Sequence, residues 1–144
     1  VTAPGKTALA ADELIVAFEF APRAVHSGDA YLRFIPRTEM DIAGVGAGVS
    51  LTLDSDGKCT AARVALGAVA PRPLLVTKAA QALIGSTVDE TALNQAAAAA
   101  SAACEPIDDK RGTAQYRTRV AGVLVRRAGA IALERARHFA GSKQ

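Results

Sequence analysis

Apolar and polar residues alternate along the first half of the chain, whereas apolar residues recur at helical spacing along the second half. Alternation with a period of two is typical of half-buried strands, and spacings of three and four residues are typical of amphipathic helices. The change occurs at Pro71 and Pro73. The pattern predicts strands at 14–20, 31–35, 45–53 and 60–69, and helices at 74–84, 87 to about 104, and 113 to about 139.

Short signals mark several ends of these elements. Pro36 cannot donate to a strand ladder and should end the second strand. Asp54-Ser-Asp-Gly57 predicts a hairpin turn, and Thr87 stands three residues before Glu90, the spacing of a capping box. Consecutive strands with short links predict an antiparallel sheet. The fold class is therefore α+β: an antiparallel sheet of three to four strands followed by three helices packed on one face. We expect the other face to be docked on a partner domain or else solvated.

The glycines at 44, 46 and 48 superficially resemble a phosphate-binding loop. Such a loop needs a helix N-terminus after it, but the next residues form a predicted strand. The glycines therefore favour close approach of a helix to the sheet over phosphate binding. The alanine run 96–100 predicts the helix that lies on this glycine face.

The last helix presents one arc of larger apolar residues at 100° per residue. This predicted core stripe consists of Tyr116, Val120, Val123, Leu124 and Ile131. Arg127 falls inside the arc, whereas Arg117 falls outside it. A charge on a buried stripe must reach solvent or find an acid, and Glu39 and Asp41 are the candidate partners of Arg127.

The chain has 144 residues, enough for one ordinary domain. Its net charge is +3, and the basic excess lies in the segment from Lys110 onward. This basic segment could contact an acidic partner. Nucleic acid is a disfavoured partner because no aromatic residues that could stack on bases lie between the basic residues. Residues 1–11 predict a mid-chain linker rather than a signal peptide, 12–140 a single domain excised from a longer chain, and 141–144 a tail. No stretch is apolar enough to span a membrane.

Catalytic and metal sites are not indicated. Cys59 and Cys104 are lone cysteines and favour free thiols in a reducing cytoplasm. His26 and His138 lack a nucleophile or a second histidine at catalytic spacing, so we expect both at the surface.

Three segments in order carry a family resemblance. They are Tyr-Leu-Arg-Phe-Ile-Pro-Arg-Thr-Glu-Met-Asp-Ile-Ala at 31–43, Ala-Leu-Gly-Ala-Val-Ala-Pro-Arg-Pro at 65–73, and Asp-Lys-Arg-Gly-Thr-Ala-Gln-Tyr-Arg-Thr-Arg-Val at 109–120. With the residues between them, they resemble the C-terminal domain of the FAD-binding medium subunit of molybdenum hydroxylases, the carbon monoxide dehydrogenase and xanthine dehydrogenase family. Gln115 departs from the acid that relatives commonly carry.

The resemblance implies one part of an oxidoreductase. In such enzymes electrons pass from molybdenum through [2Fe–2S] clusters to FAD and an acceptor. The implied partners are an N-terminal FAD-binding domain, an iron–sulfur small subunit and a molybdenum large subunit. FAD is expected in the full-length subunit, but neither flavin nor activity is expected in the isolated domain, because the glycine-rich pyrophosphate loops are absent.

The resemblance also implies two cofactor-binding residues. A Lys or Arg at the position of Arg33 approaches the flavin, and a hydrophobic residue on the preceding strand, here Ile15, lies beside the ring. We expect both to project from adjacent strands onto one exposed face. Residue type alone is equally compatible with a solvated Arg33.

A different class of function stays open. Sheet-plus-helix domains also serve as interaction or dimerisation modules, so the fold alone does not decide between these functions. A stand-alone module without a redox role is the alternative, and the sequence that precedes Val1 would distinguish the two.

Overall fold

The computed structural model describes residues 1–38 and 40–139. Four antiparallel strands form one sheet in the order β1-β2-β3-β4. They are β1 (Ser27–Phe34), β2 (Val45–Leu53), β3 (Cys59–Gly67) and β4 (Leu74–Leu75). The turn between β2 and β3 is the predicted one: Gly57 has φ +77°, and Asp54 Oδ1 accepts from the backbone N–H of Asp56 and Lys58.

Three helices follow the sheet, as predicted. They are α1 (Thr77–Leu83), α2 (Glu90–Ala102) and α3 (Ala114–His138). The side chain of Thr113 caps α3 by accepting from the backbone N–H of Tyr116. The predicted capping box at Thr87 and Glu90 is wrong. Asp89 caps α2 instead, accepting from Ala92 N–H.

The predicted α+β fold class is confirmed, but the predicted first strand is wrong. Residues 14–20 form no strand and lie exposed beside the packed body. The outer edge of β1, where such a strand would pair, is contacted by the end of α3. There Arg135 donates to the carbonyl of Asp29 at 2.7 Å, and His26 N–H donates to Phe139 O at 2.9 Å. The fourth strand is β4, at the other edge.

The core lies between the sheet and the helices. Its largest fully buried side chains are Leu51, Leu66, Leu83, Val45, Val49, Val64, Val69, Val88, Val125 and Cys59. α3 lies against β1 where Gly28 faces the backbone of Ala132 and Ala136, so a Cβ there would clash with main-chain atoms. At this contact the backbone of α3, the longest helix, lies directly against the backbone of the sheet.

The alanine-rich helix α2 packs on α3 and α1 rather than on the glycines of β2, which corrects the prediction for 96–100. Two glycines of α3 make the approach possible. A Cβ at Gly122 would lie 2.6 Å from Ser101 Oγ, and one at Gly129 would lie 2.6 Å from Leu93 Cδ2. Small residues on both helices therefore set a short distance between them.

The buried stripe of α3 is rotated by about a third of a turn from the predicted one. The buried residues are Arg117, Ala121, Gly122, Leu124, Val125, Ala128, Gly129, Ala132 and Ala136. Tyr116 and Val123 are exposed, and so is Arg127. The prediction was wrong because it followed the larger apolar residues, whereas alanine and glycine fill the contact with β1 and α2.

Candidate functional site: the open face of the sheet

The sheet face turned away from the helices is the open face. Because strand residues alternate between faces, β1 presents Asp29, Tyr31 and Arg33 there. β2 and β3 contribute mainly small side chains. These are Gly46, Gly48, Ser50 and Thr52 on β2, and Ala61, Arg63 and Ala65 on β3. The result is a shallow floor with a few projecting polar and aromatic groups.

The glycines of β2 belong to this face, which corrects the prediction that they receive a helix. Tyr31 lies opposite Gly48 in the β1–β2 ladder, and Arg33 lies opposite Gly46. A Cβ at Gly46 would lie 2.6 Å from the Tyr31 hydroxyl oxygen, whereas one at Gly48 would lie 3.7 Å from Tyr31 Cδ2. The Tyr31 side chain therefore leans over Gly46, and the absent side chain makes room for it.

Arg33 is exposed on β1, as expected. Among the residues that the structure describes, no carboxylate lies within ion-pair distance of its guanidinium. A guanidinium with free donors beside a floor of glycine and alanine can bind carbonyl oxygens or an anion of a planar ligand.

Ile15 is also exposed, but it lies outside the sheet, in the segment 14–20. The expected placement of Ile15 and Arg33 on adjacent strands is therefore wrong within this chain. That either residue contacts a flavin stays a prediction.

The opposite end of the open face holds a polar cleft of about 440 Å³. Ser50, Thr52 and Arg63 of the sheet line it, together with Phe20, Ala21, Arg23 and Ala24 of the segment before β1. Arg23 in this segment forms an ion pair with Asp29. Sequence reasoning missed this cleft because only the register of three strands aligns Asp29, Ser50 and Arg63 in one row.

A buried arginine lies at the end of the sheet where β2 begins and β3 ends. Arg117 is 6% exposed, and its guanidinium forms an ion pair with Asp109. Its Nη1 donates to Gly44 O at 3.2 Å and to Ala68 O at 3.5 Å. Arg117 thus joins the start of α3 to the segment before β2 and the segment after β3. Sequence reasoning assigned burial to Arg127 instead.

The ion pairs continue from Asp109 to Asp41. Arg111 lies 4.0 Å from Asp109 and 3.7 Å from Asp41, which also pairs with Arg37. The Arg111 backbone N–H and the Arg117 guanidinium lower the pKa of Asp109. Burial opposes such a change at Asp41, but the Ile42 N–H and Arg37 lower its pKa on balance. Asp41 is therefore paired with arginines other than the expected Arg127, and Glu39 lies outside the described residues.

The remaining candidate residues and segments of the sequence analysis receive no functional role. Cys59 and Cys104 are free thiols whose pKa values are raised by burial, and their cytoplasmic location remains a prediction. Within residues 1–38 and 40–139, no three potential ligands cluster around a metal position. In the same part of the chain, no helix has the length and apolar character to cross a membrane. The predicted tail 141–144 lies outside the described residues.

Comparison with known families gives one clear match. The model of the CO dehydrogenase flavoprotein C-terminal domain matches residues 30–131.

Curated relatives agree with this match. The chain is 39% identical over 132 residues to the carbon monoxide dehydrogenase medium chain of Afipia carboxidovorans, covering 92% of this chain and 45% of that protein. It is 38% identical over 81 residues to a putative xanthine dehydrogenase FAD-binding subunit of Escherichia coli, covering 56% of this chain and 27% of that protein. The chain thus spans less than half the length of these relatives.

Solved structures show the same similarity. Carbon monoxide dehydrogenase from Hydrogenophaga pseudoflava superposes with a TM-score of 0.74 at 39% identity, covering 78% of this chain and 39% of that one. Quinoline 2-oxidoreductase from Pseudomonas putida 86 gives a TM-score of 0.72 at 31% identity, covering 76% and 38%.

Proposed function

Because the chain belongs to the CO dehydrogenase flavoprotein C-terminal domain family, we propose that it is the C-terminal part of the FAD-binding subunit of a molybdenum hydroxylase. Its relatives include a subunit named for FAD binding and an enzyme whose solved structure is described as a Cu,Mo-CO dehydrogenase. In this proposal the domain helps to hold FAD and to assemble the subunit with its iron–sulfur and molybdenum partners. The substrate of the complete enzyme is left open.

The open face supports the flavin part of the proposal. Its floor of small residues leaves room for a planar group, and Arg33 offers donors that no described carboxylate occupies. The described residues offer no glycine-rich loop leading into a helix for a pyrophosphate. The face therefore fits one side of a flavin that is held mainly elsewhere in the subunit.

FAD, when bound, would supply the group that accepts electrons and passes them on. The role proposed for this chain is to shape that environment. Arg33 would place a positive charge beside the flavin, and this charge would stabilise negative charge on the flavin. Ile15 would contribute an apolar contact and exclude water.

The test is flavin binding by the full-length subunit carrying Arg33→Ala. Loss of one charge-assisted contact costs about 1.5–3 kcal/mol, so we expect the dissociation constant for FAD to rise by about 10- to 150-fold. Arg33→Lys should restore much of the affinity because it keeps the charge. Arg127→Ala, an exposed arginine on α3, is the matched control and should leave affinity unchanged. Equal affinity in Arg33→Ala and wild type would remove Arg33 from the site.

Ile15 has its own test in the same subunit. Ile15→Ala should also weaken FAD binding, since it removes three carbon atoms worth up to about 0.8 kcal/mol each when they are buried. Its matched control is Leu9→Ala, an apolar residue of the N-terminal segment that is also exposed. Unchanged flavin affinity in Ile15→Ala would contradict the assignment.

The alternative is a stand-alone interaction module. The exposed apolar residues of 14–20 favour some docking role in either case. A preceding sequence without a flavin-binding domain, together with a purified full-length protein that takes up no FAD, would support this alternative over the flavoprotein proposal.

A further inference from the structure

The polar cleft at the Asp29 end of the open face has a charge that the proposed function does not use. Its volume is about 440 Å³, and the charged side chains that line it are Arg23, Asp29 and Arg63. Two arginines and one aspartate leave one net positive charge. Pockets for small ligands typically measure about 300–1,000 Å³, so the cleft has the size of a ligand pocket and a charge that favours anions.

Arg63 carries the free charge of this cleft. It is exposed on β3, and over residues 1–38 and 40–139 no carboxylate lies within ion-pair distance of its guanidinium. Ser50 lies opposite Arg63 in the β2–β3 ladder, and Thr52 follows two residues further along β2 on the same face. In the same ranges, the side chains of all three residues make no hydrogen bond to the protein. The cleft thus offers a guanidinium and two hydroxyl groups whose donors are unused.

The one carboxylate of the cleft does not neutralise Arg63. Asp29 and Arg63 lie on either side of Ser50 in one row of the sheet, with Cα atoms about 10 Å apart. Asp29 pairs instead with Arg23, whose guanidinium also lies 5.6 Å from the centre of the Phe139 ring. Arg23 is therefore held from two sides, and the negative charge of Asp29 is already compensated.

The segment that carries Arg23 is anchored to the packed body. Ser27 Oγ donates to the carbonyl of Ala24. His26 N–H donates to Phe139 O, and His26 O accepts from Leu53 N–H, both at 2.9 Å. Because these contacts lie within the domain itself, the side of the cleft formed by this segment is in place before a ligand binds, which lowers the ordering cost of binding.

We propose that this cleft is a binding site for a phosphate group. Arg63 donates through its planar fork, and Ser50 and Thr52 donate from the sheet. Arg23 donates from the segment before β1 through N–H groups that its bond to Asp29 does not use. Donors that converge from the sheet and from this segment suit the tetrahedral oxygens of phosphate better than the two coplanar oxygens of a carboxylate.

This site is separate from the proposed flavin contact. Arg33 lies four residues beyond Asp29 along β1, about 13 Å away. The phosphate site uses none of the residues assigned to flavin, so it stands or falls independently of the flavoprotein function.

Titration of the 144-residue chain with inorganic phosphate at constant ionic strength tests the site. We expect saturable changes in the NMR signals of the Arg63 side chain and the Ser50 amide. Arg63→Gln should raise the dissociation constant by at least about 10-fold because it removes a charge-assisted contact. Arg63→Lys should give an intermediate value, since it keeps the charge but not the fork. Arg127→Gln, at an exposed arginine of α3, is the matched control and should bind phosphate as wild type does.

Two other dianions test the shape of the site. Sulfate, which is tetrahedral, should compete with phosphate, whereas planar oxalate should bind more weakly. Adenosine monophosphate distinguishes the source of the group: tighter binding than inorganic phosphate assigns the site to a phosphate ester, and weaker binding assigns it to the free ion. Non-saturating shifts, equal phosphate affinity in Arg63→Gln and wild type, or tighter binding of oxalate than of phosphate would each overturn the proposal.

Discussion

Glycines on the two faces of the sheet lie next to different kinds of neighbouring atoms. On the helix-covered face, Gly28 lies against main-chain atoms of Ala132 and Ala136, which cannot move without shifting α3. On the open face, Gly46 lies against the end of the Tyr31 side chain, which can rotate into solvent. The first arrangement holds the fold together, whereas the second shapes a surface. Substitutions on the two faces should therefore affect different measurements.

The arginines of α3 give the largest expected contrast. Arg117→Ala removes a buried guanidinium and leaves Gly44 O and Ala68 O without their donor. Loss of one member of a buried, hydrogen-bonded charge network costs about 2–4 kcal/mol of unfolding free energy. Urea denaturation followed by circular dichroism measures it.

Arg127→Ala is the matched control for this prediction. Arg127 is an exposed arginine of the same helix, and its loss should change stability by less than about 0.5 kcal/mol. Equal effects at Arg117 and Arg127 would show that the buried network contributes nothing to the fold.

Gly28→Ala tests the helix-covered face at one position. A Cβ there meets backbone rather than a flexible side chain, so α3 must shift. Overpacking of this kind costs about 1–3 kcal/mol. Gly48→Ala, on the neighbouring strand but facing outward, meets Tyr31 at an ordinary 3.7 Å and should be nearly neutral. Thermal unfolding of both variants compares them, and a larger effect at Gly48 would reverse the assignment of the faces.

These contrasts also show what the sequence could and could not predict. The regular alternation in 45–53 and the Asp54–Gly57 turn predicted β2 and its turn correctly, because register and burial there follow from local pattern. The strand at 14–20 was wrong within this domain because pattern reports the tendency to form a strand but not the presence of an edge to pair with.

The same limit explains the errors in the site. Residue type and spacing correctly predicted that Arg33 would be exposed, since the alternation of 31–35 assigns its face. They could not separate Arg117 from Arg127, because the stripe that packs on the sheet is made of alanine and glycine, which carry a weak hydrophobic signal. The row of Asp29, Ser50 and Arg63 depends on the register of three strands, which sequence pattern does not give.

The dependence of the unfolding free energy on pH, measured at acid pH, distinguishes the ion-pair cluster of Asp41 and Asp109 from the open face. The pKa values of Asp41 and Asp109 are lowered from 3.8 in the folded chain. Their contribution is therefore fully present above the unfolded pKa and is lost as the pH falls through the folded values. We expect unfolding free energy to decline below about pH 4.

The double variant Asp41→Asn, Asp109→Asn should show a flatter pH dependence than wild type in the same range. Asp54→Asn, in the β2–β3 turn, provides a control for general loss of a carboxylate. Identical pH profiles for the double variant and wild type would contradict the role assigned to the cluster.

The smallest expected effect on stability, but a specific one on the surface, is that of Gly46→Ala. The added Cβ would lie 2.6 Å from the Tyr31 hydroxyl, and this exposed ring can rotate away at little cost. Stability should change by less than about 0.5 kcal/mol, while the ring-proton chemical shifts of Tyr31 should move. The chain has only two tyrosines, and Tyr116 serves as the internal control. Gly48→Ala should leave both rings nearly unchanged. A large loss of stability in Gly46→Ala, with Tyr31 unmoved, would mean that Gly46 supports the sheet backbone rather than the position of Tyr31 on the open face.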